Sequence, residues 1–339
     1  MSPFSFPGSN PRAHFDIVIP TIGRPSLAPL LDSLAAQVDT LPGQIVLVDD
    51  RRQVRSSLPG IDDALASRIR VVRGAAAGPA AARNAGWRSS HAAWVAFLDD
   101  DVEPTARWGA ALRDDLASLP DDVVGSQGRI RVPHPPDRAP TDWERNVAGL
   151  ENARWTTADM AYRRSALERV GGFDERFPRA YREDADIGLR LAGAGYRIVM
   201  GRREAVHRVR PADAWISVRL QAGNADDPVM RRLHGPGWRD AAGVSRGRRP
   251  LHVSIVALCI TAIVTALLGQ RRVALAAAAG WFAGMAELAI SRIAPGPRTA
   301  REVMTMIATS VALPWAATYH FIRGLLRART IEPLRLRRV

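Results

Sequence analysis

The chain has 339 residues, 47% of them hydrophobic, which is enough for a folded domain of about 200 to 250 residues and a further region. Its 47 basic residues are all arginine, and the formal net charge is +13. Residues 1–240 hold 33 Arg and 31 acidic residues, whereas residues 241–339 hold 14 Arg and 3 acidic residues. Because the excess lies in the tail, a nucleic-acid-binding protein, which carries its charge on the folded domain, is not expected.

The N-terminal residues 1–13 contain neither the basic start nor the apolar centre of a secretion signal, and we expect a disordered leader. The single Cys259 excludes a disulfide within one chain and is consistent with a reducing compartment. We expect a catalytic domain at 14–210, a junction rich in Pro, Gly and Arg at 211–250, and a membrane region with a basic tail at 251–339.

Short apolar runs alternate with helical patterns over the first 200 residues or so. The expected strands are Phe15–Pro20, Gln44–Asp49, Ile69–Arg73, Ala93–Leu98 and Val123–Gln127; the expected helices are Ser26–Gln37, Pro79–Ser90 and Thr105–Leu119. This alternation predicts an α/β fold built from βαβ units, with a mostly parallel sheet covered by helices on both faces. Ligands bind such sheets beyond the carboxyl ends of the strands.

Polar residues stand at several of those carboxyl ends. Thr21 follows the first strand, and the pair Asp49 and Asp50 ends the second. The segment GPAAARNAG (Gly78–Gly86) opens a helix whose N–H groups, together with Arg83, suit an anionic group. Their common edge predicts a site for a metal, a diphosphate and a ribose or base.

Three adjacent acids, Asp99, Asp100 and Asp101, follow the apolar run AWVAFL. Adjacent carboxylates repel one another, and a bound divalent cation would relieve this repulsion. The alternative is a solvated loop whose acids cap the helix that begins near Thr105. This stretch alone leaves both interpretations open.

Two later segments add polar groups. The glycines of GGFDE (Gly171–Glu175) suit the left-handed turn that ends a helix. Glu183 and Asp184 begin an amphipathic helix, where they serve chemistry or only complement the helix dipole. His207 follows a strand-like run, Tyr196–Met200, and a lone histidine is not by itself a ligand.

The tail contains three apolar runs of about 17 to 20 residues, near the length that crosses a bilayer. They are His252–Leu268, Val273–Ile290 and Val303–Ile322. Arginines before the first run and after the third belong on the cytoplasmic side by the positive-inside rule, which two crossings satisfy. We therefore expect a hairpin of the first two runs, with the third partly in the interface.

Several features of this tail leave alternatives open. Arg271 and Arg272 in the hairpin turn fit the two-span arrangement poorly, so two or three spans remain possible. A buried helical subdomain is another interpretation. Gly280 and Gly284 form a GxxxG pair that either brings two helices together or has no partner.

The motif set resembles the family 2 glycosyltransferases, which have the GT-A fold. The resemblance is carried by FDIVIPTIGR, VDD (Val48–Asp50), GPAAARNAG, the DxD-like Asp99–Asp101, GGFDE and the pair Glu183–Asp184, in the family's order over residues 15–210. One departure is Arg51–Arg52 after VDD, where many members have Gly-Ser. It leaves open which of Asp49 and Asp50 meets the base.

The resemblance implies a role for each matched position. Thr21, Asp49, Asp50 and Arg83 would hold the base and ribose of a nucleotide-sugar donor, and Asp99 would touch the ribose. Asp101, with Asp100, would reach Mg²⁺ or Mn²⁺ on the diphosphate, and His207 would complete the metal site. Asp184 would be the catalytic base.

Acceptor recognition is less legible in the sequence. We expect Trp155, Thr157, Asp159 and Glu183 on the acceptor side. Near the membrane junction, Arg231, Arg232, His234 and Trp238 suit a lipid-linked phosphate or, alternatively, anionic head groups.

The expected function is an inverting, metal-dependent sugar transfer from a nucleotide-sugar donor to a lipid-linked or cell-envelope glycan. We expect a multi-pass protein of the cell membrane with a cytoplasmic catalytic domain that contacts anionic lipids and no nucleic acid. The alternatives are a membrane-anchored, non-catalytic nucleotide-sugar-binding module and a nucleotidyltransferase-like enzyme. A nucleotidyltransferase would need a Lys-containing Gly-rich loop, which this sequence lacks.

Overall fold

The computed structural model describes residues 14–54, 56–61 and 63–332. They form two compact units. The first unit comprises residues 14–133 and Leu150–Arg208, and the second comprises His134–Gly149 and residues 209–332. The expected leader and the last residues of the basic tail lie outside the described residues, and the domain limits expected from the sequence stay predictions.

The first unit is built on one eight-stranded sheet with the order β3-β2-β1-β4-β7-β6-β8-β5. Its strands are β1 (Phe15–Thr21), β2 (Ile45–Asp49), β3 (Ile69–Arg73), β4 (Trp94–Leu98), β5 (Val102–Pro104), β6 (Val123–Arg131), β7 (Asp159–Arg163) and β8 (Arg197–His207). Strands β1 to β4 pair in parallel, as does β6 with β8. β7 runs antiparallel to β4 and β6, and β5 to β8. The α/β fold class is therefore confirmed, with a mixed sheet.

The helices follow in chain order. They are α1 (Leu27–Ala35), α2 (Asp63–Ala66), α3 (Pro79–Ser89), α4 (Trp108–Ala117), α5 (Asp142–Ala148), α6 (Arg164–Val170), α7 (Glu183–Gly193), α8 (Ile216–Arg219), α9 (Asp227–His234), α10 (Trp238–Ala241), α11 (Arg249–Leu267), α12 (Arg271–Ile293) and α13 (Ala300–Ala328). Helices α5 and α8 to α13 belong to the second unit.

Strands β2 and β4 are apolar at consecutive positions because both faces of the sheet are covered. Every residue of each is buried. In the register of the parallel pair, Thr21 at the end of β1 lies opposite Asp49 at the end of β2. The carboxyl ends of the neighbouring strands β1, β2 and β4 therefore deliver their polar residues to one edge of the sheet.

Helices α11 and α12 form an antiparallel hairpin in the second unit. A Cβ atom added at Gly284 would lie 2.8 Å from Ile255, and one at Gly280 would lie 3.2 Å from Leu258. The two glycines therefore pack against α11, so the GxxxG pair brings two helices together. Both helices are long and apolar enough to cross a membrane. Only 17% of the most apolar stretch of α11, and 11% of that of α12, is buried.

Helix α13 has a different character. It contains Pro314, and its exposed apolar side chains alternate with a buried face that includes Met306, Leu313 and Ala317. It is not among the helices apolar enough to cross a membrane within the described residues. Two candidate spans and an amphipathic third helix agree with the expected hairpin and third run.

Arg292 ties the second unit together near the end of α12. Its guanidinium donates to the hydroxyls of Thr309, Ser310 and Ser217 and to Oδ2 of Asp142, at 2.9 to 3.0 Å. These partners come from α13, α8 and α5, so one buried cation links four helices. The segment carrying α5 thus belongs to the helical unit, although it lies within the range expected for the catalytic domain.

Candidate functional site

The turn after β1 is fastened to the acid cluster after β4. Thr21 Oγ1 donates to Oδ2 of Asp100 over 2.7 Å, and Arg24 donates to Oδ1 over 2.8 Å. Burial raises the pKa of Asp100, although Arg24 and Thr21 oppose this change. Asp100 is 2% exposed and accepts a hydrogen bond on each oxygen, so it links β1 to β4; its expected role as a metal ligand stays a prediction.

Asp49 and Asp50 face different partners. Asp49 accepts hydrogen bonds from the guanidinium of Arg51, which lower its pKa, and lies 3.4 Å from Arg73. Asp50 accepts from the backbone N–H groups of Ala76 and Gly78 and lines an open cleft of about 610 Å³ with Ile22, Arg51, Arg52, Gln53, Ala77 and Pro178. Of the two carboxylates, only Asp50 lines the cleft.

Arg83 is the centre of the site. It is 1% exposed, on α3, and donates to Asp99 over 2.7 Å and to Glu183 over 3.0 Å, with Asp184 at 3.8 Å. Its guanidinium also lies 5.6 Å from the ring centroid of Phe173. Burial lowers the pKa of Arg83, but the charges of Asp99, Asp184 and Glu183 outweigh burial and keep it charged. The structure thus brings three of the expected acidic residues together around the guanidinium of Arg83.

Glu183 and Asp184 differ in exposure. Glu183 is 1% exposed, and its Oε2 has no hydrogen-bond partner among the described residues. Burial, and then the charge of Asp184, raise the pKa of Glu183. The side chain of Asp184 is 26% exposed; burial raises its pKa too, and Arg83 opposes this. Asp184 is therefore the acid of the pair that a substrate can reach.

Thr157 holds Asp184 in place. Its hydroxyl donates to Oδ1 of Asp184 over 2.7 Å, and its backbone N–H donates to Oδ2 over 3.1 Å. Arg182, directly before α7, has φ of 78°, a left-handed conformation that is uncommon for a residue with a side chain. The carboxylate is thus fixed by its neighbours as well as by the helix that carries it.

Asn84 is a positioning residue that the sequence analysis did not single out. Its Nδ2 donates to the carbonyl of Phe173 and to Glu175, and its Oδ1 accepts from the Phe173 N–H and from Trp87. Gly172 has φ of 75°, and a Cβ there would lie 2.4 Å from Asn84 Oδ1. The GGFDE segment is thereby fastened to α3, which places Phe173 beside Arg83. The only signal for this in the sequence was the position of Asn84 one residue after Arg83.

A carboxylate and an imidazole meet at the other end of the acid cluster. His207 Nε2 lies 3.3 Å from Oδ1 of Asp101, because β5 pairs with the end of β8. Within residues 14–54, 56–61 and 63–332, no three His, Cys, Asp or Glu side chains lie close enough to hold a metal ion by themselves. Mg²⁺ is usually held by one or two protein groups together with substrate phosphates, so this pair fits a cation that arrives with a diphosphate.

Two residues expected on the acceptor side are buried. Asp159 is fully buried, with Oδ1 bound by Arg203 and Oδ2 by Trp108. It connects the sheet to α4, and its expected role on the acceptor side stays a prediction. Trp155 is 4% exposed and packs on Gly188, where an added Cβ would lie 2.2 Å from its ring. The Arg154 guanidinium lies 4.4 Å from the ring centroid of Trp155, and the backbone N–H of Trp155 donates to Oε1 of Gln127.

Comparison with known proteins gives the class. A family model described as glycosyl transferase family 2 matches residues 16–186, and a second, described as glycosyl transferase family group 2, matches residues 147–290. Since the first model covers half of the chain, the chain belongs to glycosyltransferase family 2.

Individual relatives are more distant. The O-antigen biosynthesis protein RfbC of Myxococcus xanthus is 33% identical over 113 residues, which cover 28% of this chain. The match spans only 8% of the length of RfbC. S. aureus TarS matches 63% of this chain and 40% of its own length, with a TM-score of 0.41 and 18% identity. A mycobacterial protein matches 72% of this chain and 82% of its own, with a TM-score of 0.44 and 18% identity.

Proposed function

We propose that this glycosyltransferase moves a sugar from a nucleotide-sugar donor to an acceptor hydroxyl with inversion, and that Asp184 is the catalytic base. The observation that carries the proposal is the placement of Asp184. It is part-exposed, fixed through both oxygens by Thr157, and lies 3.8 Å from the buried Arg83. A fixed carboxylate with a raised pKa suits proton removal from a hydroxyl as the hydroxyl attacks the anomeric carbon.

The donor nucleotide is assigned to the cleft lined by Asp50. Arg51 and Arg52 line the same cleft and supply positive charge, and the N-terminus of α3 begins at its floor with Gly78. A helix N-terminus and arginines both favour a phosphate group. Asp99 pairs with Arg83, and its side chain is 29% exposed. It is therefore the carboxylate that would bind the ribose.

A divalent cation, Mg²⁺ or Mn²⁺, would be held by Asp101 and His207 together with the donor diphosphate. Bound there, it would neutralise the charge that develops on the leaving diphosphate. Arg83 keeps the neighbouring carboxylates of Asp99 and Glu183 oriented through its hydrogen bonds to them.

The acceptor is a lipid-linked or cell-envelope glycan. Helices α11 and α12 expose apolar side chains along their length, which is expected of segments in contact with lipid. An O-antigen biosynthesis protein among the relatives is consistent with this class of acceptor. By the positive-inside rule, the arginines before α11 and after α13 favour a protein of the cell membrane with its catalytic unit on the cytoplasmic side.

The test is donor binding followed by transfer. The full chain is purified in detergent and titrated with UDP-, GDP- and dTDP-sugars, with and without Mn²⁺, while thermal unfolding is followed. We expect a metal-dependent rise in melting temperature with one nucleotide. Asp184→Asn is expected to keep that rise and to lose turnover by about 10²- to 10⁴-fold. Near-normal turnover in Asp184→Asn would show that Asp184 is not the base. If no donor raised the melting temperature, a non-catalytic module would be favoured.

A further inference from the structure

A second cavity, of about 420 Å³, is lined by residues of the second unit only. It is bounded by α9, α10, the start of α11 and the last third of α13. Four arginines line it (Arg231, Arg239, Arg246 and Arg249), against two acids, Asp227 and Asp240. The cavity therefore carries a positive balance of two charges at neutral pH, which selects an anion.

Most of the guanidinium groups in the cavity are fixed by the protein. Arg239 pairs with Asp227, and Arg246 lies 3.4 Å from Asp240. Arg249 is 3.8 Å from Asp227 and stacks on Phe321 at 4.4 Å from the ring centroid. Arg231 is exposed, and its guanidinium has no ion pair or hydrogen bond among the described residues, so the guanidinium donors are available to a ligand.

The other wall of the cavity is apolar. Trp238 is 3% exposed and supports the Arg239 guanidinium, while Phe321 and Leu325 come from α13. Leu325 is 44% exposed. Arg249 is the first residue of α11, the first candidate membrane span. A cationic floor beside an apolar wall, at the end of such a helix, matches a phosphate group attached to a hydrocarbon chain.

We propose that this cavity binds the phosphate head group of the lipid-linked acceptor, with Arg231 as the residue that contacts the phosphate. The inference rests on the proposed lipid-linked acceptor and adds the place where it is held. An inorganic phosphate would use the arginines alone, whereas a lipid phosphate also covers Phe321 and Leu325. The apolar wall therefore favours the lipid.

The test uses farnesyl phosphate as the probe, with inorganic phosphate and farnesol as the two half-ligands, on the full chain in detergent. Binding is measured by a thermal or calorimetric titration. We expect farnesyl phosphate to bind at least about tenfold more tightly than either half-ligand. Arg231→Gln should weaken it about tenfold, as expected for loss of a charge-assisted hydrogen bond, and Arg231→Lys should restore part of the affinity.

The matched control is Arg232→Gln. Arg232 is the exposed neighbour on the same last turn of α9 and does not line the cavity. It shares the net charge and the helix dipole with Arg231, so those effects cancel in the comparison. Two results would overturn the proposal: equal weakening by both variants, or displacement of the probe by phosphatidylglycerol with equal affinity. Either would mean that the cavity attracts any anionic lipid.

Donor chemistry separates this inference from the proposed function. Metal-dependent hydrolysis of the nucleotide sugar tests the donor chemistry of the first unit, whereas Arg231→Gln should raise the KM for a lipid acceptor. Hydrolysis without any binding of farnesyl phosphate would overturn the acceptor site alone. Absence of hydrolysis in the unaltered chain would contradict the proposed function, whatever the cavity binds.

Discussion

One guanidinium, that of Arg83, faces three carboxylates in the first unit. If Asp99, Glu183 and Asp184 were all ionised, the cluster would carry two uncompensated negative charges. Burial raises the pKa of Glu183, so this buried carboxylate takes up a proton more readily than the other two. Because the folded pKa exceeds the unfolded one, Glu183 lowers stability progressively as pH rises from its ordinary pKa towards its raised folded pKa.

The first residue-scale prediction concerns the hydroxyl of Thr157. Its hydrogen bond to Asp184 favours the charged carboxylate and so lowers the pKa of that group. Thr157→Val removes the hydroxyl and keeps the backbone N–H. The acidic limb of the pH–rate profile, where Asp184 becomes protonated, should therefore move upward by about one pH unit, since hydrogen bonds to charged groups contribute about 1.5 to 3 kcal/mol.

Thr156→Val is the control for this measurement. Thr156 is also buried, and its hydroxyl accepts from the Ala158 N–H, without contact to Asp184. We expect its pH–rate profile of kcat/KM to keep the acidic limb of the unaltered chain. An unmoved limb in Thr157→Val would mean that Asp184 is not the group whose ionisation limits the reaction.

The acid cluster gives the second residue-scale prediction, because its members have different partners. Asp101→Asn should raise the Mn²⁺ concentration for half-maximal donor hydrolysis by at least about tenfold, since a direct ligand is lost. Asp100→Asn should leave the Mn²⁺ dependence unchanged and lower the melting temperature, because it weakens the contacts with Thr21 and Arg24. The reverse pattern in a metal titration would show that the wrong acid has been assigned to the metal.

At the scale of elements, local sequence pattern located β1 to β4, of which β1, β2 and β4 are buried almost throughout. β1 to β4 follow from runs such as IVLV and WVAFL, with ends displaced by one residue at most. β7 was not predicted, because Asp159–Arg163 takes its place through antiparallel pairing with β4 and β6, which no local pattern encodes. β8 was predicted only to Met200, and its charged continuation runs on to His207.

The candidate site shows the same division. Motif spacing located the groups at strand ends and at the start of α7, because the position of an element's end fixes the position of the residue there. It did not show that Asp159 is held by Arg203, or that Asn84 fastens Phe173, since both depend on contacts between distant segments. Sequence therefore predicted which chemical groups are present, and the three-dimensional contacts decided which of them are available.

The contact between α11 and α12 carries the element-scale prediction. Gly284→Leu would force a side chain into Ile255, 2.8 Å from the position of its Cβ, and should destabilise the hairpin by about 1 to 3 kcal/mol. Ala279→Leu, on an exposed position of the same helix, should have little effect. Thermal unfolding in detergent measures both, and equal melting temperatures would show that the helices do not pack through Gly284.

Over the whole molecule, the single cysteine allows the membrane topology to be read directly. In a Cys259→Ser background, one cysteine is placed at Gln270, between α11 and α12, or at Ser245, before α11. Two crossings predict that Gln270→Cys reacts with an impermeant maleimide in intact cells, whereas Ser245→Cys reacts only after permeabilisation. Labelling of both positions in intact cells, or of neither, would contradict the hairpin.

The second unit is assembled from two stretches of chain, His134–Gly149 and residues 209–332. On the ribosome, α5 emerges before β7 and well before Arg292, the residue whose guanidinium binds Asp142. At about 5 to 20 residues per second, some 150 residues separate the two partners by roughly 8 to 30 seconds of synthesis. Throughout that interval Asp142 lacks its partner Arg292, so the earlier stretch of the second unit cannot complete its contacts until α12 has been synthesised.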